Sequence, residues 1–190
     1  MVKKLDDFSA NDRQNLKFQA AGVHFLTGDL EETNVAETIK WLTCENLDSK
    51  PDRILTLYIN SQGGDLYEAL GLIDMMRNSK IPIRTIGFGS VMSAAFLVLA
   101  SGTPGERYVT KNCGIMCHQM SASEEQGKYH DIKATRKETD RLNQAMYDIL
   151  KEVTGLDGRV IKTKLLPAHD VYMTATEMID FGAADHILVN

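Results

Sequence analysis

The stretch Ile86–Gly102, IGFGSVMSAAFLVLASG, sets Ser93 at the head of an apolar run, behind two glycines that let a backbone come close. A hydroxyl there can accept from an unpaired N–H of the first helical turn as an N-cap. With a base beside it, it can also act as a nucleophile. Local spacing does not choose between the two. A dinucleotide fingerprint would need its third glycine where Met92 stands, and the elbow G-x-S-x-G would need glycines at Val91 and Ala95. A second cluster, Cys113, Cys117 and His118, has the donors of a zinc site without the C-x-x-C spacing or a distal pair. Cys117 and His118 are neighbours in an apolar, strand-like stretch and so point to opposite faces. Buried thiols are the better reading, and a lone histidine in such a strand is most often a satisfied core side chain.

The elements that must position these residues alternate. After a polar N-terminal segment (1–22), VHFLTG (Val23–Gly28) reads as a strand. Asn34 and Glu37 have capping-box spacing ahead of Val35, Ile39 and Leu42 on one helix face. ILTLYIN (Ile54–Asn60) is β-prone and apolar, the kind of run buried on both faces of a parallel sheet. The turn Ser61–Gly64 follows, and Asp65 can cap a helix carrying Leu66, Ala69, Leu70, Ile73 and Met76. Ile81–Gly89 is the next strand, then comes the Ser93 helix, and Glu106–Thr110 with Gly114–Gln119 make a strand pair. The longest helix spans Tyr129–Val153 and is stopped by Gly155; it is polar on every side over Lys133–Arg141 and apolar on one stripe from Leu142 onward. His169–Thr174 is a strand, Thr174 and Glu177 box the next helix, Gly182 ends it, and Asp185–Val189 is the last strand.

Strand–helix alternation over 190 residues, with no linker composition and no repeat, predicts one α/β domain. A net charge of −5 argues against a nucleic-acid or acidic-membrane partner, and no apolar run is long enough to span a bilayer. No signal peptide opens the chain, the Met1 start suggests little or no propeptide, and three cysteines fit a reducing compartment.

Four motifs in order, INSQGGD, SVMSAAF, IMCHQM and HDVYMTATEMIDFGAADHIL, resemble the ClpP family of self-compartmentalised serine peptidases over roughly Val23–Leu188. The resemblance implies a ClpP/crotonase-like fold with a projecting handle (about 120–153). It assigns the nucleophile to Ser93, the general base to His118 and the orienting acid to Asp170. The oxyanion hole falls on the backbone N–H groups of Gly64 and Ala94. Extended substrate would lie between Asp65, Leu66 and Tyr67 on one side and Met120, Ser121, Ala122 and Ser123 on the other, paired through its backbone. The chemistry needs those types: a neutral imidazole to take the serine proton, a carboxylate to hold its tautomer, and fixed donors for the oxyanion.

The family further implies heptameric rings able to stack as a tetradecamer, unfolded polypeptide substrates delivered by an AAA+ unfoldase, and no metal or cofactor in the peptidase subunit. Its setting would be the cytoplasm, a plastid stroma or a phage-infected cell. Several positions depart from the family pattern. Gln62 and Met120 replace prolines, Ala95 a glycine and His169 an arginine, and MSASEEQGK replaces a glycine-rich segment; these bear on ring stacking. In the unfoldase-docking pocket Tyr58, Tyr108 and Leu188 match, whereas Thr56 and Asn78 stand in place of aromatics. Two other readings compete: a non-catalytic ring subunit, which normally loses one of the three residues, and a crotonase-type enzyme acting on an acyl-CoA, which leaves them unexplained.

Overall fold

The computed structural model describes residues 9–47, 53–121 and 127–189. Parallel strands β1 (Val23–Thr27), β2 (Leu55–Ser61), β3 (Ile83–Met92), β4 (Arg107–Thr110) and β7 (His186–Leu188) are neighbours in that order. Helix α2 (Glu32–Leu47) connects β1 to β2, α3 (Leu66–Arg77) connects β2 to β3, and α4 (Ala94–Ala100) follows β3. Parallel strands joined through helices are the α/β arrangement that the alternation predicts. All seven residues of α4 are buried, which explains its lack of any polar face.

Strands β4 and β5 (Gly114–Cys117) both form, but they do not pair with each other. Each pairs in parallel with β3: β4 along Thr85–Gly87, β5 along Ser90–Met92. Short adjacent apolar runs suggest a hairpin locally, but here both compete for one edge of β3. Strand β3 serves both because it runs on to Met92, past its expected end at Gly89, with a register jump against β2 on the way. Strand β6 (Val171–Met173) then adds antiparallel to β5.

The N-terminal segment is not featureless. Helix α1 (Ala10–Ala21) starts in a capping box between Ser9 and Asp12 and stops at Gly22 in the left-handed region. Its described side chains are exposed, apart from a half-buried Phe18, so no apolar stripe announces it. Helix α2 begins at Glu32, before Asn34. Asn34 still ties the helix entrance, accepting from Glu31 N–H and donating to the Thr27 and Asp29 carbonyls. Asp65 caps α3 as expected, accepting from the Tyr67 and Glu68 N–H groups. Helix α5 (Tyr129–Thr154) ends at Gly155 in the left-handed region, and its buried residues begin at Leu142. Every side chain from Tyr129 to Lys137 is exposed.

A helical turn, α6 (Gly158–Val160), continues as a π-helix over Ile161–Leu165, where no element was expected; only Ile161 and Leu165 are buried there. The box of Thr174 and Glu177 opens α7 (Ala175–Asp180). Burial on β2 alternates. Leu55, Leu57, Ile59 and Ser61 are buried under the helices, while Thr56, Tyr58 and Asn60 stay half-buried on the opposite face. That face is thus only partly covered, rather than buried like its partner.

Candidate active site

Ser93 sits at the junction of β3 and α4 with φ 53°, ψ −125°; it is the one non-glycine at positive φ among the described residues. An L-residue held there is strained by roughly 1–3 kcal/mol, a cost that persists only where the surroundings impose it. The surroundings are visible. Ser93 N–H donates to the Met116 carbonyl at 2.9 Å, so the end of β5 grips the turn. The Ser93 side chain does not cap α4; its Oγ lies 2.7 Å from His118 Nε2. His118 Nδ1 lies 3.3 Å from Asp170 Oδ1. With Nδ1 protonated toward the carboxylate, Nε2 is left as the acceptor for the serine proton.

Topology makes these meetings. His118 follows β5, Asp170 precedes β6, and β5 is flanked by β3 and β6. Three chain segments distant in sequence therefore end side by side. The His118 side chain is 20% exposed and that of Asp170 51%, so the group opens to solvent on the acid's side. His169, the adjacent imidazole, is exposed, and no bond joins it to the Ser93 group.

Beside Ser93 lies the Gly63–Gly64 turn, at φ 105° and 144°. A Cβ on Gly63 would come within 2.7 Å of the Ser93 Cβ and 3.2 Å of the Ala94 nitrogen; one on Gly64 would strike the Leu30 backbone. Both glycines are thus required by close approach as well as by φ. Gly63 is the more intimate neighbour of Ser93, and the doubled glycine of SQGG was its only signal. Where the family has proline at Gln62, the buried Ser61 hydroxyl shapes the turn instead, accepting from Gly63 N–H at 3.1 Å. The N–H groups of Gly64 and Ala94 have no hydrogen-bond partner among the described residues.

The predicted substrate-flanking residues divide. Asp65 and Tyr67 are exposed and Leu66 is half-buried. Tyr67 donates its hydroxyl to Glu138 of α5 at 2.7 Å, and Arg141 holds the same carboxylate. Arg141 foremost, then the tyrosine, lower the Glu138 carboxyl to about 2. Met120 is half-buried and its N–H reaches Asn143 Oδ1 at 3.4 Å, Ser121 is exposed, and Ala122 and Ser123 lie outside the described residues. Cys113 and Cys117 are buried, which pushes their thiols up to about 11 and about 12; they pack as apolar side chains. Among the described residues no helix is long and apolar enough to cross a membrane.

A sequence profile described as Clp protease matches residues 11–190. ATP-dependent Clp protease proteolytic subunit 2 of Mycobacterium leprae is 36% identical over 148 residues, which cover 77% of this chain and 67% of that protein. Proteolytic subunit 1 of Rhodococcus jostii is 34% identical over 147 residues (77% and 65%), and that of Corynebacterium diphtheriae 30% identical over 164 residues (86% and 77%). On the fold, on the motifs that line the Ser93 turn and on these likenesses, the chain belongs to the Clp protease family.

Proposed function

We propose that this chain is the proteolytic subunit of a Clp-type protease and acts as a serine endopeptidase on unfolded polypeptides. Ser93 Oγ attacks the scissile carbonyl carbon while His118 Nε2 takes its proton. Asp170 holds the imidazole in the Nδ1–H tautomer and stabilises the imidazolium. The oxyanion is received by the N–H groups of Gly64 and Ala94, which no acceptor among the described residues uses. His118 then returns the proton to the leaving amine, and water activated by the same nitrogen releases the acyl group. The residues need no metal or cofactor for any of these steps. Asp65, Leu66 and Tyr67, with the Met120–Ser123 segment, border an extended substrate.

In this reading the subunit works in a heptameric, stackable ring fed by an AAA+ unfoldase, in the cytoplasm of its host. The partly covered β2 face and the projecting half of α5 are surfaces such an assembly would use. Three free cysteines suit a reducing compartment.

The observation that carries the reading is the 2.7 Å contact of Ser93 Oγ with His118 Nε2, made by a serine whose backbone has left the helix-capping geometry. A fluorophosphonate probe should label Ser93 alone, and Ser93→Ala should abolish both labelling and peptide cleavage. Label on another serine, or cleavage surviving in the variant, overturns the assignment.

A further inference from the structure

We propose that Asn60 is a positioning residue for the nucleophile, acting through the register jump between β2 and β3; the proposal rests on the serine-peptidase reading above. Strand β3 meets two partners in succession on one edge, β4 along Thr85–Gly87 and β5 along Ser90–Met92. On its other edge the register with β2 jumps from Ile59↔Gly87 to Ser61↔Val91, leaving Asn60 alone opposite Phe88–Ser90. The Asn60 carboxamide fills that gap. Its Oδ1 accepts from Ser90 N–H at 3.0 Å and from the Ser90 hydroxyl at 3.2 Å. Gly89, at φ 64°, leaves it room, since a Cβ there would come within 2.6 Å of Oδ1. One side-chain oxygen thus ties the extra residues of β3 to β2 where the ladder is interrupted.

What depends on this tie lies just beyond it. Ser90, Val91 and Met92 pair with Gly114, Ile115 and Met116, and Ser93 N–H closes on the Met116 carbonyl. That register brings Ser93 to His118. A slip of a single residue would displace the serine by about 3.3 Å and turn it to the other face of the sheet. Even a shift of about 1 Å at a reacting group costs on the order of a hundredfold in rate. Asn60 makes no hydrogen bond to Ser93 or His118, so its effect is on where the serine stands.

Both bonds use Oδ1 as the acceptor, so a carboxylate can take its place. The test compares wild type, Asn60→Asp and Asn60→Ala by two readouts: the second-order rate of fluorophosphonate labelling at Ser93, and amide hydrogen exchange over Ser90–Ser93. Asn60→Ala should slow labelling by about ten- to a hundredfold, speed exchange of that segment and leave KM for a short peptide nearly unchanged. Asn60→Asp should stay within about threefold of wild type in labelling, with exchange protection kept. Where Asn60→Ala does not fold, Asn60→Ser, too short to reach Ser90, takes its place in the comparison. Equal labelling of wild type and the truncated variant, or Asn60→Asp as impaired as the truncation, overturns the proposal. A wild type that is not labelled at all removes the serine-peptidase reading; faster exchange in Asn60→Ala would then reduce Asn60 to a structural tie.

Discussion

Ser93 shows how one residue's backbone decides between two uses of the same hydroxyl. At ordinary cap dihedrals its oxygen would face the α4 N–H groups; at φ 53° it faces His118. A second residue-scale device is the pair Arg107–Asp185. The Arg107 side chain, 7% exposed, places Nη2 2.6 Å from one Asp185 oxygen and Nε 2.9 Å from the other, which also receives the Gly105 and Arg107 N–H groups. Burial alone would raise the Asp185 carboxyl, but the guanidinium and those N–H groups outweigh it and hold the carboxyl below its ordinary 3.8. A depressed native value means the unfolded chain binds the proton more readily. The stabilisation is therefore full above the ordinary value and is lost as pH falls through the native one. Asp185→Asn, which strands a buried guanidinium, should cost roughly 3 kcal/mol at pH 7. The gap between denaturant melts of the two proteins should narrow as pH falls below 3.8 and through the lower native value. A gap independent of pH would mean the carboxylate's charge is not what the site uses.

At the scale of elements, α5 carries two different helices in one. From Leu142 onward Leu142, Met146, Ile149 and Leu150 are buried; before it the side chains are exposed or, at Glu138 and Thr139, half-buried. Leu142→Ala removes a side chain only 2% exposed and should cost roughly 2–5 kcal/mol. Ile132→Ala, on the projecting half and 36% exposed, should cost under about 0.5 kcal/mol in a dissociated subunit. Thermal or denaturant melts at low protein concentration measure both. If Ile132→Ala destabilised the lone subunit as much as Leu142→Ala, the first half of α5 would not be a projection.

Across the whole molecule, the sheet face opposite α3 and α4 carries a strip of rings, and Phe18 of α1 lies against its first member, Phe25, at 5.2 Å. Phe25 stacks on Tyr58 at 4.9 Å, Tyr58 meets Phe88 edge-on at 6.3 Å, and Tyr108 lies 4.9 Å from His186 with Arg84 over its ring. Phe25 and Leu188 are each 40% exposed. By the family resemblance, unfoldase loops would dock on this face at the edge between neighbouring subunits, where Thr56, on the same face as Tyr58, and Asn78, at the end of α3, stand in place of aromatics. Asn78 ends α3 and spends its side chain on the Asp74 carbonyl at 2.8 Å. Each missing aromatic forgoes roughly 1–3 kcal/mol of buried apolar area. A generic bacterial unfoldase should therefore stimulate this chain poorly, while short peptides are cut without it, and Asn78→Phe should raise the stimulation. Strong ATP-dependent degradation by the unmodified chain with such an unfoldase would show that the two substitutions are tolerated.

Local patterning was enough wherever a segment's own side chains specify its dihedrals and its buried face. The apolar runs became β1 and β2, Asp65 and the Thr174–Glu177 box opened their helices, and Gly155 closed α5. The ordered motifs carried the family and, through the resemblance, the expectation that Ser93, His118 and Asp170 act together. Local patterning could not show α1, whose exposed faces carry no periodicity, nor the π-helix. It mistook β4 and β5 for a pair, because strand pairing is a competition among distant segments for one edge, and short apolar runs look alike whichever edge they win. Only the tertiary structure decided that β3 jumps register against β2 and takes both β4 and β5 in turn. The pairing with β5 sets the serine after β3 next to the histidine after β5, and the register jump against β2 gives Asn60 of ILTLYIN a gap to fill.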